Sequence, residues 1–231
     1  MFFDNREYIY LVWQDDKNRD FYVVGQLSRN GQYEFEYTGE IDKAIENGFQ
    51  LLLPFPEKNK KYKSDILFPV FSSRLPDRKR ENIKEILEKY NMTEYDAFLL
   101  LKNSGAKLPI DNLQFIDPII EVGNERIERK FYISGIRYKN ECKGIECDKF
   151  KNINVGDKLI LQLESDNKKD KNAVKILYKG EHIGYIPRYY SKIVSNFIKE
   201  SNKYECQVLE INKAKNCNEC IKAKLVLNAD N

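Results

Sequence analysis

The sequence predicts an α+β protein of two domains: an N-terminal β-meander with helices, followed by a small, partly open β-barrel with one helix. The chain has 231 residues, enough for two domains of ordinary size. Runs of β-branched and aromatic residues between turn signals dominate, and helical periodicity is confined to a few short segments. The charged segment 121–130 lacks alternation and indicates a linker. We place the boundary near Glu125, which gives domains 1–125 and 126–231.

The composition is that of a folded protein without a membrane or secretory segment. Apolar residues make up 42% and charged residues 32% of the chain, so burial can offset the entropy of folding. No apolar run approaches the ~18 residues of a spanning helix, and the N-terminus lacks a signal-peptide pattern. The five cysteines are odd in number, which argues against a disulfide framework. We expect a cytoplasmic protein.

Charge is distributed unevenly between the halves. Residues 127–231 hold 21 Lys and Arg against 14 Asp and Glu, a net +7, whereas residues 1–126 hold 18 against 22, a net −4. A basic half is the one expected to meet a polyanion such as nucleic acid. The alternative is that lysine-rich coding inflates lysine everywhere, and charge alone leaves both interpretations open.

In the first half, the predicted elements are four strands and three helices. The strands are expected at 8–13, 21–27, 33–37 and 113–116, with a turn at Arg29-Asn30-Gly31 between the second and third. The helices are expected at 41–46, 83–90 and 95–102. Asp77 is expected to cap the second helix, and Thr93 the third.

In the second half, strands dominate. They are expected at 130–138, 158–163, 173–178, 182–186, 203–211 and 220–227, with a single helix at 189–200. Lys179-Gly180-Glu181 predicts a hairpin turn between the third and fourth of these strands. This content favours a compact, partly open barrel over a parallel α/β sheet.

No catalytic centre is evident. None of the 11 glycines forms the GxGxxG or GxxxxGK[ST] pattern of phosphate-cradling loops. The single histidine, His182, falls in a predicted strand and is interpreted as structural rather than as a general base. We expect that the protein is not an enzyme.

Four cysteines raise the question of a zinc site. Cys142 and Cys147, and Cys217 and Cys220, lie on two predicted loops, and four thiolates with a C-x-x-C spacing are typical of structural zinc. A strong signature has two such pairs close together, whereas here about seventy residues intervene. Zinc and ordinary reduced cysteines both stay open, and no other cofactor is expected.

The densest motif lies ahead of the predicted helix of the second half. It comprises residues 164–174, ESDNKKDKNAV, and 180–188, GEHIGYIPR. With residues 133–138, ISGIRY, and 155–159, VGDKL, it closely resembles the HIRAN domain over residues 130–211. The resemblance implies an OB-like barrel. In members attached to helicase-like remodelling enzymes, this barrel binds single-stranded DNA at its free 3′ end.

The resemblance also implies a set of nucleic-acid-binding residues: Arg137, Tyr138, Asp166, Asn167, Asp170, Tyr185 and Arg188. The carboxylate of Asp170 would accept the proton of a 3′-hydroxyl, and the two tyrosines would stack on splayed bases. The two arginines would neutralise phosphates, while Asp166 and Asn167 fall where the family has polar pocket residues.

Two positions depart from the family's DNA-binding pattern. Lys169 stands where an aromatic residue contacts the DNA, and Asp166 stands where an asparagine does. One stacking surface is lost, and an anion is added near the phosphate path. Structural interpretations stay open as well, because Asn167 and Asp170 are good turn formers and Gly184 permits close strand packing.

The first half has a resemblance of its own. Residues 24–27, 33–37, 67–71, 74–76 and 96–100, with the sequences VGQL, YEFEY, LFPVF, RLP and DAFLL, are similar to the N-terminal subdomain of HipA-type toxin kinases. The similarity covers roughly residues 7–118. In that family the subdomain docks on the kinase and on its antitoxin partner. No H-R-D or D-F-G kinase motif is present, and a generic meander scaffold is the alternative.

Together these features predict a non-catalytic adaptor. Its second domain would bind single-stranded DNA or DNA ends, and its first would bind an unidentified protein, with no membrane partner. The alternative is a toxin–antitoxin or phage-defence subunit that acts mainly by protein–protein binding. A hydrolase with an acidic site is a third possibility.

Overall fold

The computed structural model describes residues 7–119, 126–136, 152–200, 203–212 and 219–228. The chain divides into two compact units, Met1–Pro118 and Ile119–Asn231. Both consist mainly of antiparallel sheet with few helices, which confirms the predicted mixed α+β class. The predicted boundary near Glu125 lies outside the described residues. Within the described ranges, no helix is long and apolar enough to cross a membrane.

The first unit is built on one five-stranded antiparallel sheet. Its strands are β1 (Glu7–Gln14), β2 (Phe21–Asn30), β3 (Gln32–Tyr37), β4 (Tyr62–Ser64) and β5 (Leu113–Ile116), in the order β4-β3-β2-β1-β5. Its helices are α1 (Ile41–Glu46), α2 (Pro69–Ser72), α3 (Ile83–Lys89) and α4 (Ala97–Ser104). The four predicted strands and three predicted helices are confirmed, whereas β4 and α2 were not predicted.

An aromatic cluster forms the centre of this unit. Phe35 on β3 stacks on Phe55 with ring centroids 4.4 Å apart and meets Phe71 of α2 edge-on at 5.2 Å. Gly25 on β2 makes room for this cluster, because a Cβ there would lie 2.6 Å from the Phe35 ring. The β2–β3 hairpin turns at Gly31, whose positive φ of 76° suits glycine.

The predicted cap of α3 is wrong. The helix begins at Ile83, with Asn82 at the N-cap position. Asp77 lies further upstream, where its Oδ1 accepts the backbone N–H of Lys79 at 2.7 Å. Its side chain closes a local turn, a use of aspartate that competes with helix capping.

The predicted cap of α4 is also wrong. Asp96, rather than Thr93, caps this helix, because its Oδ1 accepts the backbone N–H of Leu99 at 3.0 Å. Asp96 also forms an ion pair with Arg29 on β2 at 2.5 Å. The cap residue is therefore selected by a tertiary contact as well as by local capping.

The second unit contains two three-stranded antiparallel sheets and one helix. The strands are β6 (Ile127–Tyr132), β7 (Ile160–Leu163), β8 (Val174–Tyr178), β9 (Glu181–Tyr185), β10 (Lys203–Ile211) and β11 (Ile221–Asn228), and the helix is α5 (Arg188–Lys199). The sheet orders are β10-β11-β6 and β7-β8-β9. Isolated bridges pair Ser134 with Tyr185 and Lys158 with Gln207. The strands of the described ranges do not close into one sheet, so the OB-like barrel is not confirmed.

Two features position β9 in this unit. The β8–β9 hairpin turns through Lys179 and Gly180, both with positive φ, as a two-residue turn of the type I′ class requires. Gly184 then allows β9 to approach the segment after β6, because a Cβ there would lie 2.5 Å from Ile133 Cγ2 and 2.6 Å from the Ser134 carbonyl oxygen. Helix α5 follows directly and buries Tyr190, besides Val194 and Phe197.

Candidate nucleic-acid interface

The turn between β7 and β8, residues 164–173, is organised by Asn167. Its Oδ1 accepts the backbone N–H groups of Lys169 at 2.9 Å and Asp170 at 3.1 Å. Its amide nitrogen donates to Glu164 Oε2 at 2.7 Å. Most of the hydrogen-bonding capacity of Asn167 therefore shapes the turn, and its side chain also hydrogen-bonds to Tyr185.

Asp170 connects this turn to the first turns of α5. Its Oδ1 accepts the backbone N–H of Asn172 at 2.9 Å, and its Oδ2 accepts the hydroxyl of Ser191 at 2.6 Å. Ser191 is buried and lies three residues after Arg188, the first residue of the helix. A carboxylate has about four lone-pair sites, so Asp170 retains acceptor capacity beyond these two bonds.

Glu164 gathers three donors around one carboxylate. Lys175 Nζ lies 2.6 Å from Oε1, while the Asn167 amide and the Tyr185 hydroxyl also donate to the group. Burial alone would raise the pKa of Glu164, but these hydrogen bonds outweigh it and lower the pKa to about 2. Glu164 is therefore an ionised anchor at neutral pH.

Tyr185 at the end of β9 is half-buried and held on several sides. Burial and the hydrogen bond to Glu164 raise the pKa of its hydroxyl to about 12, so the group remains a donor. The ring meets His182 edge-on at 4.6 Å, and a Cβ on Gly135 would lie 3.3 Å from it. Its backbone exchanges hydrogen bonds of 2.9 and 2.8 Å with Ser134.

We refer to Glu164, Asn167, Asp170 and Tyr185 as the Tyr185 cluster. Its members are separated by up to about twenty residues in sequence, yet hydrogen bonds connect them at the surface of one sheet. The cluster combines an aromatic ring, carboxylates and an amide. These are the groups with which proteins stack on bases and hydrogen-bond to sugars and base edges.

Comparison with known families accounts for both halves of the chain. Residues 129–230 match the model of the HIRAN domain, and residues 16–109 match the model of the HipA N-terminal domain. The chain thus joins a HipA N-terminal-like domain to a HIRAN domain. Both predicted resemblances are confirmed. No curated protein matches the chain.

Two solved structures show a weaker likeness. The HIRAN domain of human HLTF is 17% identical, with 43% of this chain and 74% of that one covered at a TM-score of 0.34. A protein from Lactobacillus plantarum is 21% identical, with 46% of this chain and 97% of that one covered at a TM-score of 0.37.

The HIRAN domain brings together three of the seven predicted binding residues, Asn167, Asp170 and Tyr185. Arg188 is exposed at the start of α5, one helical turn before the Ser191 that bonds Asp170. Asp166 is exposed in the turn, and its charge contributes to the raised pKa of Tyr185. Arg137 and Tyr138 lie outside the described residues.

Three further residues of the HIRAN domain belong to this site but were not predicted: Glu164, Lys175 and Ser191. Glu164 opens the quoted motif, so its position was visible although its role was not. Nothing in the local sequence indicated that Lys175 would pair with it or that Ser191 would bond Asp170. His182 was interpreted as structural, and its Nε2 lies 3.0 Å from the Gly184 carbonyl oxygen.

The possible zinc site in the HIRAN domain stays untested. Of the four cysteines considered, Cys142, Cys147 and Cys217 lie outside the described residues. Cys220 is half-buried just before β11. In the part of the chain that the structure describes, no three His, Cys, Asp or Glu side chains are grouped closely enough to hold a metal ion.

Proposed function

We propose that this protein is a non-catalytic adaptor whose HIRAN domain binds the 3′ end of single-stranded DNA at the Tyr185 cluster. The observation that carries the proposal is the convergence of Asn167, Asp170 and Tyr185, three residues of the family motif, at one surface site. The HIRAN match favours nucleic-acid binding in general. The net +7 of residues 127–231 favours a polyanionic ligand.

The chemistry of the cluster suits a free 3′ terminus. Asp170 has lone pairs left to accept the proton of a 3′-hydroxyl, whereas a 3′-phosphate would bring a second anion against it. The Tyr185 ring is held by its hydroxyl and by its edge contact with His182, so it offers a preorganised surface for a terminal base. Arg188 is exposed one helical turn before the Ser191 that bonds Asp170, where its charge would neutralise a neighbouring phosphate.

The proposal is tested with labelled single strands that end in a 3′-hydroxyl or a 3′-phosphate. The wild type is expected to bind the hydroxyl-ended strand more tightly at low salt. Asp170→Asn retains an acceptor for the turn but removes the charge, so the preference between the two ends should fall. Ser165→Ala, an exposed change in the same turn, serves as the control. Failure of the wild type to bind either strand would refute the proposal.

The second part of the proposal concerns the first unit. The HipA N-terminal match favours a role in protein binding, and Leu53 and Ile66 are exposed apolar residues of that unit, with 96% and 70% of their surface accessible. The same match favours the alternative function, a toxin–antitoxin or phage-defence subunit that acts mainly through protein contacts. A wild type that binds no nucleic acid but co-purifies with a partner, lost in Leu53→Asp, would favour this alternative.

A further inference from the structure

The solvent-facing side of helix α5 carries cations and no anions. Its exposed residues are Arg188, Lys192, Asn196 and Lys199, which we call the α5 stripe, and the exposed C-cap residue Glu200 follows directly after the helix. The stripe includes three cations and one amide, and the twelve residues of the helix contain no Asp or Glu. Every exposed side chain of this helix therefore presents hydrogen-bond donors.

The stripe begins next to the Tyr185 cluster. The Ser191 hydroxyl donates to Asp170 Oδ2 at 2.6 Å, which fixes the start of α5 against the turn of the cluster. Arg188 is one helical turn before Ser191, and Lys192 is the next residue after it. A strand whose end lies at Asp170 would thus meet the first cations of the stripe immediately.

The spacing of the stripe matches an extended polyanion. With a rise of ~1.5 Å per residue, the intervals of four, four and three residues place successive members about 6, 6 and 4.5 Å apart along the helix. The whole stripe then spans ~16 Å. A stacked strand advances ~3.4 Å per nucleotide, so this length corresponds to roughly five nucleotides.

A solvated helix face usually carries charges of both signs, and some lysines elsewhere in this unit are paired with carboxylates. Lys175 pairs with Glu164, and Lys224 pairs with Glu128 at 3.1 Å. Within the described ranges, Lys192 and Lys199 have no ion-pair partner. Their charges are not neutralised locally, which is the arrangement expected where the counter-charge comes from a ligand.

We infer that the α5 stripe binds the sugar–phosphate backbone of a single strand upstream of the 3′ end held at the Tyr185 cluster. The inference rests on the proposed function, and it adds the course of the bound strand along α5 and the number of nucleotides that are bound. It assigns Lys192 and Lys199 as phosphate contacts. These contacts recognise charge and not sequence, so they raise affinity without changing the preference for one kind of 3′ end.

The test compares the double variant Lys192→Gln/Lys199→Gln with Lys79→Gln/Lys84→Gln, in which two exposed lysines of the first unit are changed. Each pair removes the same charge. For a ten-nucleotide strand ending in a 3′-hydroxyl, the stripe variant should bind more weakly, with a salt slope about 1.4 lower, at ~0.7 per lost phosphate contact. The ratio of wild-type affinity to stripe-variant affinity should therefore fall about sevenfold between roughly 50 and 200 mM salt.

Strand length and backbone charge make the test specific. A three-nucleotide strand, ~10 Å long, ends before Lys199 contributes, so the stripe variant should lose less affinity for it than for the ten-nucleotide strand. The control variant should bind it as the wild type does. Neutral methylphosphonate linkages placed three to five nucleotides from the 3′ end should weaken wild-type binding of the ten-nucleotide strand. They should leave binding by the stripe variant almost unchanged.

The outcomes distinguish this inference from the proposed function. If the wild type prefers the 3′-hydroxyl but the stripe variant keeps the wild-type affinity and salt slope, only the stripe assignment is wrong. If the wild type binds no single strand at low salt, both are wrong. If the two control lysines lower the salt slope as much as the stripe lysines, the effect is one of net charge and the inference is overturned.

Discussion

At the scale of single residues, Lys169 is the clearest test of how far this HIRAN domain departs from its family. The family resemblance places an aromatic residue there, and Lys169 is exposed in the turn beside Asp170. Lys169→Tyr should restore a stacking surface and tighten binding of a single strand by ~1–3 kcal/mol. Fluorescence anisotropy with a 3′-hydroxyl strand measures the change.

The neighbouring residue provides the matched control for that experiment. Lys168→Tyr removes the same charge and adds the same ring at another exposed position of the turn. It should not tighten binding. Equal gains from both variants would indicate non-specific stacking and would argue against a defined base position next to Asp170.

The lowered pKa of Glu164 predicts how the stability of the second unit depends on pH. Its pKa of about 2 in the folded protein lies below its ordinary value of 4.5, so the fold stabilises the ionised form. That stabilisation is fully present above about pH 4.5 and is lost as the pH falls towards 2. At ~1.4 kcal/mol per pKa unit, it amounts to at most about 3 kcal/mol.

The variant Glu164→Gln lacks this contribution. Its deficit in free energy of unfolding relative to wild type should be largest at pH 7 and should shrink steadily below about pH 4.5. Urea unfolding across that range measures it. Glu181→Gln, an exposed change on β9, is the control and should show no such trend. A deficit that stays constant down to pH 3 would contradict the assigned role of Glu164.

The residues of the Tyr185 cluster could be predicted only in part, for a physical reason. Asn167, Asp170 and Tyr185 were identified because they belong to the two sequence runs of the HIRAN motif, 164–174 and 180–188. Glu164, whose carboxylate bonds to this group of residues, was not identified, because its role depends on contacts with Lys175 on β8 and Tyr185 on β9. Such contacts depend on strand register, which a local pattern does not specify.

At the scale of elements, the approach of β9 to the segment after β6 depends on Gly184. A Cβ there would lie 2.5 Å from Ile133 Cγ2 and 2.6 Å from the Ser134 carbonyl oxygen, and backbone cannot move away as a flexible side chain can. Gly184→Ala should therefore destabilise the second unit by ~1–3 kcal/mol. Gly39→Ala, where a Cβ meets nothing within 4 Å, is the control for urea unfolding. Equal stability of the two variants would contradict this close approach.

In the first unit, Arg74 joins the segment before β5 to the region after α2. Its side chain is only 5% exposed and donates to both carboxylate oxygens of Asp111, at 2.5 and 2.9 Å. It also donates to the carbonyl oxygens of Ala106 and Leu113, both at 2.9 Å. Arg74 therefore satisfies four acceptors from one guanidinium group.

Arg74→Gln leaves most of these acceptors without a donor, and breaking a pair of this kind costs ~3–5 kcal/mol. We expect a loss of that order in the free energy of unfolding of the first unit, measured by urea denaturation. Arg80→Gln removes an exposed arginine nearby and should cause little change. If Arg74→Gln lowers the free energy of unfolding by less than about 1 kcal/mol, water satisfies the four acceptors as well as the guanidinium group does, which would contradict this role of Arg74.

Predictions of turns and helix caps were correct where neighbouring residues determine the structure, and they were wrong where contacts distant in sequence determine it. The turns at Gly31 and Gly180 were recognised because positive φ favours glycine in tight hairpins. The caps at Asp77 and Thr93 were wrong. Among the described residues, helix α3 has no side-chain cap, and α4 is capped by Asp96, which also pairs with Arg29. Strand β4, with three residues, is too short to show a period.

At the scale of the whole molecule, charge and core are both divided between the two units. Residues 127–231 carry +7 and residues 1–126 carry −4, while buried side chains form a separate aromatic cluster in the first unit. This division suits an adaptor, because a charged ligand can be bound in one unit without reshaping the core of the other.

The same division predicts how the whole chain unfolds. Because each unit has its own core, we expect two unfolding transitions, one shifted by Arg74→Gln and the other by Gly184→Ala. The double variant should show both shifts at their single-variant sizes, within ~0.5 kcal/mol, since each substitution lies in a different unit. Calorimetry of the four proteins measures this. A single transition would show that the units stabilise one another, and so would a double variant that departs from additivity by more than ~0.5 kcal/mol. In that case, ligand binding to the HIRAN domain would also change the stability of the HipA N-terminal-like domain.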